Sequence, residues 1–211
     1  MTMAVHITDT ESIRATVPFH PHPATLDPRW TTADAREFLK KLRVFVKESD
    51  FNGFVHRHEK LYETTALRME EVLRKDAHIE WFEDFFGPRR GADFTVVLGL
   101  LNGGQSYGAA CSTSAGGEQL FCILGVWMTD AEGLPRFDKS VLPTVIHEFA
   151  HSYVNPIVDR HANQLKKSGE TLYEQVAGKM KQQAYGSWDR MMHESLVRAC
   201  VIQYQRKYDG L

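Results

Sequence analysis

The stretch Val145-Ile146-His147-Glu148-Phe149-Ala150-His151-Ser152 decides how the rest of the chain is read. Residues four apart on an α-helix lie one turn above each other, so His147 and His151 present their ring nitrogens toward one point, where a single zinc ion can be held. Glu148 sits beside that point without occupying it. From there it accepts a proton from a water whose pKa the metal has lowered, so the spacing encodes a metal site and a general base together. Val145, Ile146, Phe149, Ala150 and Tyr153 make the remainder of the helix apolar. A helix of that kind is buried, and burying two imidazoles and a carboxylate without partners is costly. Asp138 or Ser140 offers an N-cap, and Pro143 is tolerated if it falls in the first turn.

Upstream, the texture is that of strands. Phe94 to Leu101, Gln105 to Ser112 and Leu120 to Met128 are apolar or small-residue runs. They are separated by Asn102-Gly103-Gly104 and Ala115-Gly116-Gly117, short turns that predict antiparallel hairpins. Further upstream the spacing turns helical: from a Thr31/Thr32 cap to about Asp50–Gly53, then Phe54 to Lys75, then an aromatic-rich segment from Ala77 to Phe86 that Gly87-Pro88 ends. Downstream of the central stretch the chain reads as helical, with breaks expected near Asn155-Pro156, Ser168-Gly169 and Gly186. Helices, a small sheet, then helices make an α+β fold with a mostly antiparallel sheet. The expected organisation is an extended arm over 1–30, carrying Pro18, Pro21, Pro23 and Pro28, and a single domain over 31–211. Within that domain, 31–92 hold the N-terminal helices, 93–129 the small sheet and 139–211 the metal-binding helices.

The 25 Lys and Arg against 27 Asp and Glu leave a net charge of -2. Such a balance supplies no positive excess for phosphate neutralisation or lipid attraction, which argues against nucleic-acid and membrane-surface partners. Cys111, Cys122 and Cys200 are odd in number and form no Cys-x-x-Cys pair, so buried free thiols are expected. Neither a secretory leader nor a membrane-spanning run is legible, which implies a cytoplasmic protein if the chain is full length. Other histidines read differently. His20 and His22 alternate with prolines and suit a surface arm. His56 and His58 are two apart on a helix, where side chains diverge, so one ion cannot easily collect both.

On these residues the chain resembles the zincin metallopeptidases, and the segment His-Glu-Phe-Ala-His-Ser-Tyr-Val-Asn-Pro resembles a group of bacterial zincin-like domains. The likeness covers roughly Phe94 to Arg206. It implies a zincin-like fold in which an edge strand, here Gln105 to Cys111, borders the cleft and pairs with an extended peptide, and in which Leu120 to Met128 is the last strand before the active-site helix. The resemblance also implies a third protein ligand. The metzincin solution would place a histidine where this chain has Ile157. A gluzincin-like solution takes a glutamate from a later helix, which points to Glu194; His193 and His161 are the alternatives. Arg198 stands where such sites carry an acid that orients a histidine, and it could instead bridge to Glu194. Tyr185 is the leading donor for the oxyanion, with Tyr107, Tyr173 and His161 behind it. The activity implied is that of a zinc-dependent endo- or aminopeptidase acting on a peptide or protein substrate. A catalytically inactive, zinc-stabilised binding module and a zinc hydrolase of non-peptide substrates are the competing expectations.

Overall fold

The computed structural model describes His6, Ile7, residues 13–21, Leu26, 29–112 and 117–210. His22, Pro23, Pro28 and most of the turn at Ala115-Gly116-Gly117 lie outside the described residues. The elements run α1 (Thr32–Glu48), α2 (Phe51–Arg57), α3 (Glu59–Asp76), α4 (Trp81–Phe86), β1 (Ala92–Leu98), β2 (Tyr107–Ser112), β3 (Glu118–Leu124), α5 (Leu142–Arg160), α6 (Ala162–Gln182) and α7 (Trp188–Tyr208). The class is α+β, with one small sheet and helices before and after it.

The sheet is not a pair of hairpins. Its order is β1-β3-β2, with β1 parallel and β2 antiparallel to β3. β3 is central because it is the most apolar strand: Leu120, Cys122 and Leu124 are all fully buried. The connection from β1 to β2 therefore passes over the end of β3, held there by Gly99 N–H on Leu124 O at 2.8 Å and Val126 N–H on Gly103 O at 2.7 Å. The strands also stop earlier than their apolar runs, β1 at Leu98 and β3 at Leu124, because this crossing takes over their backbone groups. β2 begins at Tyr107 rather than Gln105 and is an edge strand, as expected of it.

α5 is the centre of the molecule. It packs on β2 and β3 on one side and on α7 on another, and α6 packs on α7. The aromatics of α4 close a further side: Phe82 meets Phe149 at 6.2 Å and Tyr153 at 5.2 Å between ring centroids, and Phe86 meets Tyr153 at 4.7 Å. A separate, smaller core joins Val17, Phe19 and Leu26 of the arm to Ala35 and Leu39 of α1. Cys111, Cys122 and Cys200 are buried and free. Among the described residues no helix is long and apolar enough to cross a membrane.

Several expected helix boundaries move; α1 ends at Glu48, short of Asp50–Gly53, and the aromatic-rich helix starts at Trp81 rather than Ala77. The helix expected over Phe54–Lys75 starts at Phe51 and divides at His58, whose Nδ1 lies 2.8 Å from the Phe54 carbonyl and competes for it. No break falls at Ser168-Gly169. Gly169 instead lets the Trp188 indole of α7 lie against α6 where a Cβ would collide with the ring. Nor does the chain break at Asn155-Pro156, which α5 carries as an internal proline. Pro156 has no N–H for the Ser152 carbonyl four residues earlier. Arg89 supplies the missing donor, its Nη1 lying 2.9 Å from that oxygen, while Nε and Nη2 hold the Glu118 carboxylate at 2.6 and 2.8 Å. One helix, α6, thus separates α5 from α7 where two were expected.

Candidate metal centre

Asp138 begins the turn into α5 by accepting the Ser140 N–H at 2.9 Å, and Pro143 stands in the helix's first turn. Along α5 the residues His147, His151 and Asn155 fall four apart on one polar stripe, with Glu148 beside it, while Val145, Ile146, Phe149, Ala150, Tyr153 and Val154 are buried. α7 answers with Glu194, which falls on the same stripe as the buried Met191 and Val197. Packing α5 on α7 therefore forces the three groups together. His147 Nε2 lies 3.4 Å from Glu194 Oε2, His151 Nε2 lies 3.5 Å from Glu194 Oε1, and the two Nε2 atoms are 3.2 Å apart. Zinc bonds of about 2.0–2.1 Å in a tetrahedron separate donor atoms by about 3.3 Å, so the spacing suits that ion. Among the described residues no other group of three His, Cys, Asp or Glu side chains is close enough to share a metal.

The surroundings favour ligation. Asn155 Oδ1 lies 3.2 Å from His151 Nδ1. A carbonyl oxygen only accepts, so the ring proton is assigned to Nδ1 and Nε2 presents its lone pair to the centre. Burial, the largest influence, holds His151 below the ordinary imidazole value against the opposing hydrogen bond from Asn155 and the charge of Glu194. For Glu194 burial acts upward, but the hydrogen bond from His147 and the nearby imidazole charges outweigh it and leave the carboxyl below its usual range. Glu148 is different. Burial pushes it up to about 7, with the Glu194 charge adding, while His147 and the Gly108 N–H act the other way. Gly108 belongs to β2 and lies against the α5 backbone at Glu148, where a Cβ would strike the Glu148 carbonyl. That contact sets the edge strand β2 and α5 side by side.

Tyr185 occupies the loop between α6 and α7. Ala184, at φ 65°, closes α6 with its N–H on Lys181 O at 3.0 Å, and the Tyr185 N–H reaches Met180 O at 2.9 Å. The Tyr173 hydroxyl donates to Tyr185 O at 3.1 Å. So fixed, the Tyr185 hydroxyl donates to Glu194 Oε2 at 3.2 Å and accepts from Arg198 Nη2 at 2.9 Å. Arg198 does not bridge directly to Glu194; the phenol stands between them. His193 turns away to Asp159 on α5, 2.9 Å distant, and His161 sits exposed at the α5–α6 junction against Gln164. Tyr107, at the start of β2, is exposed. The geometry thus gathers His147, His151 and Glu194, sets Glu148 and Tyr185 at their border, and leaves His193 and His161 outside.

A cleft of about 510 Å³ opens over His147 and Glu148, walled by Trp127, Arg198, Val201 and Ile202. Sequence reasoning missed Asn155, the link from Arg198 to Tyr185 and the seat of Gly108. Asn155 alone left a signal, since it continues the four-residue spacing from His147 through His151.

Residues 25–211 match the family described as Domain of unknown function (DUF4932), and the chain belongs to that family. No curated protein and no solved structure matches it.

Proposed function

We propose that this domain is a zinc-dependent metallopeptidase of zincin-like type, with His147, His151 and Glu194 as metal ligands and Glu148 as general base. The observation that carries the reading is the convergence of two imidazoles and one carboxylate at 3.2 to 3.5 Å, from two helices, beside an open cleft. When bound there, zinc supplies Lewis acidity and makes a coordinated water acidic near neutral pH. The chain's own groups do the rest. Glu148 takes a proton from the attacking water as the water oxygen bonds to the peptide carbonyl carbon. The same carboxyl returns that proton to the nitrogen as the C–N bond breaks. Tyr185 is the neutral donor bordering Glu194 and would stabilise the carbonyl oxygen as it gains charge, by turning its hydroxyl from the carboxylate. Among the described residues β2 pairs only with β3, so its outer edge offers main-chain groups to an extended substrate.

Replacing Glu148 by Gln tests the assignment. The variant is expected to keep its zinc and to lose peptide hydrolysis by roughly 10²–10⁴-fold, the range for a general base. Undiminished cleavage would remove Glu148 from the mechanism. One observation favours a second reading, a zinc-stabilised binding module: the Tyr185 hydroxyl is engaged by both Glu194 and Arg198 rather than facing the cleft. That reading expects chelation to lower the melting temperature while no peptide is cleaved.

A further inference from the structure

Lining the cleft, Arg198 forms no ion pair among the described residues. Arg198 follows Glu194 by four residues on α7, about 6 Å along the helix axis, and Val201 and Ile202 continue the same wall. Two arginines that brace the main core each hold a carboxylate: Arg89 grips Glu118, and Arg68 Nη2 lies 2.7 Å from Asp130. Arg198 pairs with no carboxylate among the described residues. Its Nη2 donates to the Tyr185 hydroxyl at 2.9 Å, its one hydrogen bond among the described residues, and its guanidinium carbon lies 5.5 Å from the centre of that ring. Of five N–H donors, the remainder are left for the cleft. The hydroxyl is itself hydrogen-bonded to Glu194, so the guanidinium is fixed relative to the metal centre before anything binds.

We infer that Arg198 is the recognition point for a substrate carboxylate, and that the domain acts on peptides bearing one close to the bond it cuts. The inference rests on the metallopeptidase reading above. A planar fork with free N–H groups matches a carboxylate better than a lone carbonyl oxygen. An extended residue spans about 3.3–3.6 Å, so a spacing of one helical turn places the carboxylate within one or two residues of the scissile carbonyl. Either a free C-terminus or an Asp or Glu side chain supplies that chemistry. Trp127, Val201 and Ile202 are apolar and Ser106 and Thr144 are uncharged, so apart from His147 and Glu148 the guanidinium is the charged feature of the lining that discriminates.

The test uses the full chain loaded with zinc and two small probes: a succinyl hydroxamate with a free carboxylate, and its carboxamide counterpart. Calorimetry is expected to find the acid bound roughly 10–100-fold more tightly, the range for a charge-assisted pair. In Arg198→Met that ratio falls toward one, and in Arg198→Lys it is partly kept, with zinc uptake unchanged in both. A protein that takes up zinc but binds acid and amide alike, or a ratio that survives in Arg198→Met, overturns the inference alone. A protein that takes up no zinc overturns the reading it rests on. Matched peptides, free or amidated at the C-terminus and with Asp or Asn beside the cleaved bond, then identify the source. Preference for the free terminus or for Asp supports the assignment, and indifference to both contradicts it.

Discussion

Two pairings of histidine with glutamate in this molecule have nearly the same length and opposite meaning. His56 Nδ1 and Glu59 Oε2 at the α2–α3 junction lie 3.7 Å apart, with side chains 83% and 61% exposed; His147 Nε2 and Glu194 Oε2 lie 3.4 Å apart, at 22% and 18%. Water surrounds the first pair and solvates each partner separately, so the pairing is worth little. The second is withdrawn from water between two helices, where each polar atom needs a partner to offset its desolvation. His151, Asn155, Tyr185 and Arg198 extend it into a connected network. A site is defined here by burial and convergence rather than by residue type.

The largest effects follow from breaking that convergence. His151→Ala removes one of the three proposed ligands, and its zinc affinity should fall by more than the roughly 10–100-fold that loss of an outer partner costs. His56→Ala should leave zinc affinity unchanged and stability within about 0.5 kcal/mol, as for an ordinary surface position. Titration with a competing chelator measures the first quantity and denaturant unfolding the second. Equal zinc affinity in the two variants would erase the distinction between the pairs. A step smaller is Asn155→Ala. It keeps all three proposed ligands but releases His151 Nδ1, and metal affinity should fall by roughly 10–100-fold. Asn155→Asp should retain or strengthen binding, since a carboxylate accepts the same N–H.

How far this was legible beforehand depends on the range of the interactions concerned. The start of α1 could be read because its cap is local: Thr31 accepts the Asp34 N–H at 3.1 Å, and Asp34 accepts in return from the Thr31 backbone. The pairing of His147 with His151 could be read for the same reason. Glu194 was accessible as a charge on an apolar helical stripe, though its meeting with α5 depends on packing between helices. Sheet order was not accessible, because a short turn predicts neighbours only when no third strand is apolar enough to come between them, and β3 is. Pro156 and Gly169 misled because residues remote in sequence, Arg89 and Trp188, supply the reason each sits inside a helix.

Arg89 and Glu118 lie between the two extremes, half-buried rather than immersed or withdrawn, and give the smallest and most finely graded test. Arg89→Ala leaves the Ser152 carbonyl without a donor, which costs about 1–3 kcal/mol. In a Pro156→Ala background the helix supplies its own N–H to that carbonyl, so the same substitution should cost less, and additive losses would refute the account of Pro156. The other half of the contact responds to pH. Arg89, through hydrogen bond and charge together, holds the Glu118 carboxyl below its ordinary value of 4.5 against the upward pull of burial. The native state then binds fewer protons than the unfolded chain as that group titrates, so its contribution is full above the ordinary value and is lost as pH falls through the lowered one. The melting-temperature gap between the wild type and Glu118→Gln should therefore be widest near neutrality and close as the solution is taken below about pH 4.5. Solvent screening at this half-exposed pair keeps the gap small, and a gap that widened on acidification would mean that Glu118 is protonated in the folded chain and that Arg89 is held by the Ser152 carbonyl alone.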